Sequence, residues 1–130
     1  MSDAYSERTL DHFNNPRNVG RLPDASVVGH AENPASGASL DLFLGLLGKG
    51  AVIERASFRA HGCAATIAAG SVATELIIGR RLTATPVLTR EDLVDALDGL
   101  PPARRHAYRL VTDAIQSASD QYSSSIAESA

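Results

Sequence analysis

A run of alternating leucines followed by a glycine-rich turn is the feature that most restricts how this chain can fold. Between Leu40 and Leu46 every second residue is leucine, a period of two that places these side chains on one face of a β-strand. Gly48-Lys49-Gly50 supplies the positive backbone angles that a hairpin requires, and a second alternating run follows from Ala56 to Ala60. The sequence therefore predicts two antiparallel strands with one apolar face and one wet face.

Helical patterns flank this predicted hairpin. A short helix is expected over Tyr5–Phe13, and an alanine-rich helix is expected over Cys63–Ile78. Thr89 and the acidic residues that follow it predict a third helix. Pro101-Pro102 is predicted to begin the last helix, whose apolar stripe ends at Tyr122. Because most of the helices follow the strands, the predicted class is α+β.

The remaining chain is organised around this core. Residues 16–38 are rich in proline and glycine, which predicts turns with room for one short strand near Ser26–Ala31. No internal repeat or second boundary is visible, so residues 1–130 are expected to form one domain. Its core is expected to span residues 5–122, and residues 123–130 are expected to form a flexible tail.

Composition and charge exclude several classes of protein. The chain has 130 residues and a net charge of −3, so it lacks the excess of lysine and arginine that nucleic-acid binding requires. It contains no run near the roughly 20 apolar residues that span a bilayer, which argues against a membrane protein. One cysteine and an N-terminus without a signal-peptide pattern favour the reducing cytoplasm.

Cys63 and His106 are the residues best placed for chemistry. Cys63 opens a predicted helix, where the helix dipole and free amides favour a thiolate, although a cysteine there can also simply fill space. His106 lies in the first turn of the last helix, where the dipole favours the neutral ring that metals bind. The alternative for His106 is an exposed histidine in a basic turn, and His61 is a weaker third candidate.

Catalytic templates are absent from the sequence. It contains no G-x-S-x-G elbow, no Walker loop and no H-E-x-x-H motif, and no acid is evident that would orient a Cys–His pair. We therefore expect a protein that is not an enzyme. His12 and His30 lack ligand partners nearby in sequence and are expected to have surface or packing roles.

Four separated motifs together resemble one family, the iron–sulfur cluster scaffold proteins of the IscU/NifU type. The motifs are Asp11-His12-Phe13-Asn14-Asn15-Pro16-Arg17-Asn18-Val19-Gly20, Asn33-Pro34-Ala35-Ser36-Gly37, His61-Gly62-Cys63-Ala64, and Leu100-Pro101-Pro102 leading to His106. The resemblance extends from Tyr5 to about Tyr122. It implies a three-stranded antiparallel sheet with helices packed on one side and a cluster site at one end.

The resemblance also implies a set of ligands, most of which this chain has lost. The family uses three cysteines, an aspartate and a histidine. Carried over by position, the first cysteine falls at Ser36, the aspartate at Ala38, the second cysteine at Cys63, the histidine at His106 and the third cysteine at Ala107. Clusters prefer thiolates, normally four for a two-iron centre, so one chain is not expected to hold an ordinary cluster.

Three functions follow as alternatives. In the first, iron, zinc or a cluster binds Cys63 and His106, with Ser36 as a further cofactor-binding residue, and a second chain of a homodimer supplies the other ligands. In the second, the protein is a metal-free docking module for a cysteine desulfurase and an Hsp70-type chaperone. The family resemblance implies that the chaperone binds Leu100-Pro101-Pro102. The structural alternative for that segment is a plain helix start. In the third, Cys63 accepts a persulfide and the protein is a sulfur carrier.

Overall fold

The computed structural model describes residues 4–129 of the chain. Within this range a three-stranded antiparallel sheet in the order β1-β2-β3 is combined with four α-helices. The α+β prediction is confirmed. In chain order the elements are α1 (Glu7–Asn14), β1 (Val27–Asn33), β2 (Ala38–Leu47), β3 (Val52–His61), α2 (Ala64–Ile77), α3 (Arg90–Leu97) and α4 (His106–Ser129), with a 3-10 turn at Pro102–Arg104 before α4.

The predicted hairpin is the β2–β3 pair. Leu40, Leu42 and Leu44 are buried on one face of β2, as the period of two requires. Gly48 and Gly50 both have positive φ values, 68° and 84°, in the connecting turn. The register shifts between Gly45 and Leu46, which places a β-bulge near the end of β2.

The helices approach the sheet closely because small residues line the contacts. On α2, a Cβ at Gly70 would lie 2.6 Å from the Phe58 ring, so only glycine fits there without a shift. On β1, a Cβ at Gly29 would overlap the carbonyl oxygen of Ala114 in α4. Both outer strands are thus covered on the same face, α2 lying over β3 and α4 over β1 and β2.

Both edges of the sheet are occupied by other parts of the chain. At the β1 edge, the amides of Val28 and His30 donate to the side chains of Gln121 (2.7 Å) and Ser117 (3.0 Å) of α4. At the β3 edge, residues 18–20 and 79–82 exchange backbone hydrogen bonds with the strand. Neither edge offers an open row of backbone groups along these positions for pairing with another chain.

The ends of several elements differ from the sequence prediction. The last helix begins at His106, because Pro102–Arg104 forms a separate 3-10 turn rather than the first helical turn. Of the predicted tail at 123–130, residues 123–129 belong to α4 with exposed side chains at 123–127, and residue 130 lies outside the described residues. The first strand extends to Asn33, two residues beyond its expected end. No described helix is both long and apolar enough to span a membrane.

Candidate functional site

Three segments meet at one end of the sheet, which we call the ligand end: residues 33–38, residues 61–63 and residues 104–107. The pairing of Ser39 with His61 brings the start of β2 beside the end of β3. A Cβ on Gly62 would lie 3.2 Å from the Ala38 Cβ, so the backbone preceding Cys63 packs directly against Ala38. The strand register therefore brings together segments that are distant in the sequence.

Cys63 is the N-cap residue of α2, with extended backbone angles, and it is half-buried. Its Sγ lies 3.8 Å from the hydroxyl oxygen of Thr66. Burial raises the pKa of the Cys63 thiol, but the backbone amide and hydroxyl of Thr66, the Ala65 amide and the Arg104 charge together outweigh this effect. The pKa consequently lies below its ordinary value, which favours the nucleophilic, metal-binding thiolate form.

His106 is the first residue of α4 and is half-buried. It lines a groove of about 330 Å³ together with Asn33 and Pro34 of the β1–β2 turn. A neighbouring groove of about 250 Å³ shares Asn33 and Pro34 and extends to Ala38. His106 therefore lies on one side of the β1–β2 turn. On the other side lies Ala38, which packs against the backbone before Cys63.

The positions where the resemblance implies further ligands carry no soft donor. Ser36 is exposed, and its Oγ accepts a hydrogen bond from the Ala38 amide at 3.2 Å, which stabilises the turn. Ala38 and Ala107 are only 2% and 0% exposed and belong to the hydrophobic core. Among the described residues, no three His, Cys, Asp or Glu side chains form a group that could hold a metal ion. One chain alone does not fit a four-donor metal or cluster site.

The other histidines lie in different surroundings. His61 is exposed at the end of β3. His12 is buried between α1 and α2, where its Nδ1 lies 2.7 Å from the Ser71 hydroxyl, consistent with a packing role. His30 lies between the carboxylates of Asp41 and Glu32, at 2.6 and 2.8 Å, and hydrogen bonds to both raise its pKa.

Thr66 and Arg104 were not identified from the sequence as neighbours of Cys63. Thr66 lies three residues after the N-cap, the spacing at which an N-cap side chain and an N3 residue meet in a capping box, and this pattern could have indicated it. Arg104 lies 41 positions further along the chain, so its influence on Cys63 depends on the tertiary fold alone.

Solved structures share this fold. A protein of Fervidobacterium islandicum AW-1, described as an iron–sulfur cluster assembly scaffold for the SUF system, superposes with a TM-score of 0.69 at 22% identity, covering 88% of this chain and 96% of that one. The N-terminal part of a NifU-like protein from Brucella abortus superposes with a TM-score of 0.64 at 16% identity, covering 88% and 89%. The fold is therefore that of the scaffold class implied by the sequence motifs.

Sequence comparison narrows this class to a family. The family model of the NifU-like N terminal domain matches residues 4–129 of this chain. The iron–sulfur cluster assembly scaffold protein IscU of Escherichia coli K12 is 37% identical over 124 residues, which cover 93% of this chain and 95% of the relative. An IscU of Archaeoglobus fulgidus is 39% identical over 118 residues, covering 91% and 76%. The chain belongs to the NifU-like N-terminal domain family.

Proposed function

We propose that this protein acts in iron–sulfur cluster assembly as a scaffold-type protein rather than as an enzyme, with iron, zinc or a cluster as its cargo. Cys63 and His106 are the proposed metal ligands, and Ser36 is the proposed third cofactor-binding residue, a weak oxygen donor. The observation that carries the proposal is that His106 and the backbone before Cys63 border the same turn at the ligand end, while the surroundings of Cys63 favour its thiolate. The names of the relatives as cluster assembly scaffolds support the same role.

Each chain supplies one thiolate and one imidazole, so a second copy completes the site. Two chains related by a two-fold axis would present two thiolates and two imidazoles, a set that zinc binds tetrahedrally and that a two-iron cluster accepts as mixed ligation. The occupied edges of the sheet favour a dimer formed through the ligand end rather than through strand pairing. This homodimer is part of the proposal.

The proposed partners are a cysteine desulfurase, which would supply sulfur at the ligand end, and an Hsp70-type chaperone. The chaperone would read the segment beginning at Leu100. In that segment Leu100 and Pro101 are buried and Pro102 is exposed at the start of the 3-10 turn. Leu100 and Pro101 also line a cleft of about 360 Å³, and Tyr5 lines the same cleft. We place the protein in the cytoplasm, where a single reduced cysteine is stable.

The test is the metal and acid-labile sulfide content of protein purified without oxygen and without a histidine tag. The wild-type chain is expected to retain about half a metal ion or cluster per chain, that is, one shared site per dimer. Cys63→Ser and His106→Ala, alone and combined, should lose most of it. His30→Ala is the matched control, because it removes a histidine outside the ligand end and should retain the metal.

The outcomes separate the proposed cargo from the alternatives. Labile sulfide that matches the iron content would identify a cluster, and zinc without sulfide would identify a zinc site. Metal content unchanged in the double variant would contradict ligation by Cys63 and His106. Metal-free wild-type protein would favour the docking module, tested by pull-down of the two partners, or the persulfide carrier, tested by mass spectrometry after incubation with desulfurase and cysteine.

A further inference from the structure

Thr66 has a polar side chain enclosed beside the one thiol of the chain. It is 1% exposed, on the first turn of α2, and its hydroxyl oxygen lies 3.8 Å from the Sγ of Cys63. A buried hydroxyl needs a hydrogen-bond partner, and desolvation without one costs about 1–3 kcal/mol. Other threonines, such as Thr74 and Thr112, donate to a backbone carbonyl three residues earlier, whereas the contact found for the Thr66 hydroxyl is the sulfur.

The backbone before Cys63 is shaped around this hydroxyl. Gly62 has a φ of +150°, a conformation that favours glycine. A Cβ at Gly62 would lie only 2.6 Å from the Thr66 oxygen, so the absence of a side chain there leaves room for the hydroxyl. Gly62, Cys63 and Thr66 thus form one packed unit at the start of α2.

We propose that Thr66 is a positioning residue for Cys63: its hydroxyl donates a hydrogen bond to Sγ and fixes the direction of the sulfur before a ligand arrives. The inference rests on the proposed role of Cys63 as the ligand of this end. A sulfur that is already ordered loses less conformational freedom when it binds a metal or accepts sulfur, so preorganisation increases affinity. The same hydrogen bond withdraws electron density from the thiolate and lowers its intrinsic nucleophilicity.

The experiment measures the second-order rate constant for alkylation of the metal-free protein by iodoacetamide, followed with rising pH until it reaches a plateau. At the plateau the thiol is fully ionised, so the rate reports the hydrogen bond to the thiolate rather than the thiolate fraction. Thr66→Val, which replaces the hydroxyl with a methyl group of similar size, is expected to raise the plateau rate about threefold. Thr66→Ser restores a hydroxyl and should return the rate to that of the wild type.

Thr74→Val is the matched control, since it removes a buried hydroxyl from the same helix without touching Cys63. It should leave the plateau rate unchanged, and thermal melting of each variant verifies that it is folded. Equal plateau rates in Thr66→Val, Thr66→Ser and the wild type would overturn the positioning role. Because this readout needs no metal, it can fail while the proposed metal site holds, and it can succeed if the protein proves to be metal-free.

Discussion

At the scale of single residues, Ser71 joins α1 to α2 through a buried hydrogen-bond network. Its hydroxyl oxygen accepts the Arg17 amide proton at 2.9 Å, and it donates to His12 Nδ1 at 2.7 Å. Arg17 Nη1 also approaches Nδ1, at 3.2 Å, so two donors face the same ring nitrogen and His12 is neutral. Burial and the Arg17 charge lower the pKa of His12, against the opposing carboxylates of Glu75 and Asp11.

This network predicts that acid weakens the attachment of α1. The pKa of His12 is lower in the folded chain than its ordinary value near 6.5, so the unfolded chain binds the proton first as pH falls. The contribution of His12 is fully present above about pH 6.5 and is lost as the pH falls through the folded pKa. His12→Gln should cost about 1 kcal/mol at pH 7.5 and less at pH 5.

Urea unfolding of the wild type and the variant across this pH range gives the measurement. The difference in free energy of unfolding between the two proteins isolates the contribution of His12. His30 has a raised pKa and contributes stability below pH 6.5 that is lost as pH rises, but it does so equally in both proteins. A constant difference at every pH would contradict the assignment. The sequence placed His12 in a surface or packing role but could not identify its partner, because Ser71 lies 59 positions away.

At the scale of elements, local patterns predicted the strands well and the helix ends less well. The alternation from Leu40 to Leu46 is a local property, and it located β2 and its buried face. The start of α4 depends on a choice between a 3-10 turn and an α-helical turn after Pro101, which residue preferences scarcely separate. The close contact between Gly29 and Ala114 joins residues far apart in sequence, so no local pattern indicated it.

That close contact predicts a strong effect of one methyl group. In Gly29→Ala the new Cβ would overlap the Ala114 carbonyl oxygen and lie 2.9 Å from the Ala118 amide nitrogen, so α4 must move away from β1. The expected loss in free energy of unfolding is about 3 kcal/mol. Gly45→Ala on β2 is the control, because the atoms nearest its Cβ belong to the guanidinium of Arg55, the far end of a flexible side chain that is paired with Asp24. The guanidinium can move aside while the backbone stays in place, so the loss should be smaller, about 1 kcal/mol.

Chemical denaturation of both variants tests this packing. A Gly29→Ala protein as stable as Gly45→Ala would show that α4 can shift along the sheet without loss. Amide exchange of Val28 and His30 provides a second readout, since both amides donate to side chains of α4 and should exchange faster when that helix is displaced.

At the scale of the whole molecule, the ligand end is an intact architecture with an incomplete donor set. The sequence motifs and their family resemblance predicted which segments form it, but spacing alone could not show that His106 and the backbone before Cys63 border one turn. That arrangement depends on the pairing of Ser39 with His61 and on the path of α4. The burial of Ala38 and Ala107 also became visible only in the folded chain.

Because the backbone of the ligand end is in place, we predict that thiol donors can be restored there by substitution. Ser36→Cys combined with Ala107→Cys gives each chain three thiols at the ligand end, so anaerobic reconstitution with iron and sulfide should yield at least twice the labile sulfide per chain of the wild type. The larger side chain at the fully buried position 107 should cost about 1–3 kcal/mol of stability.

The control for this variant places two thiols elsewhere. Ser123→Cys with Ser124→Cys adds them to the exposed end of α4, about 27 Å along the helix from His106. Sulfide content and visible absorption should remain at the wild-type level in this control. Equal gains in both double variants would attribute the extra sulfide to thiol number rather than to the ligand end.

The two buried alanines also determine what holds the ligand end together when no metal or cluster is bound. Because Ala38 and Ala107 pack into the same core as the strands and helices, hydrophobic contacts hold the ligand end together without coordination bonds. Departure of the cargo then removes only the stabilisation that binding itself had added, and the empty chain keeps its shape. On the proposed function, such a chain would bind and release a metal or cluster repeatedly without refolding in between.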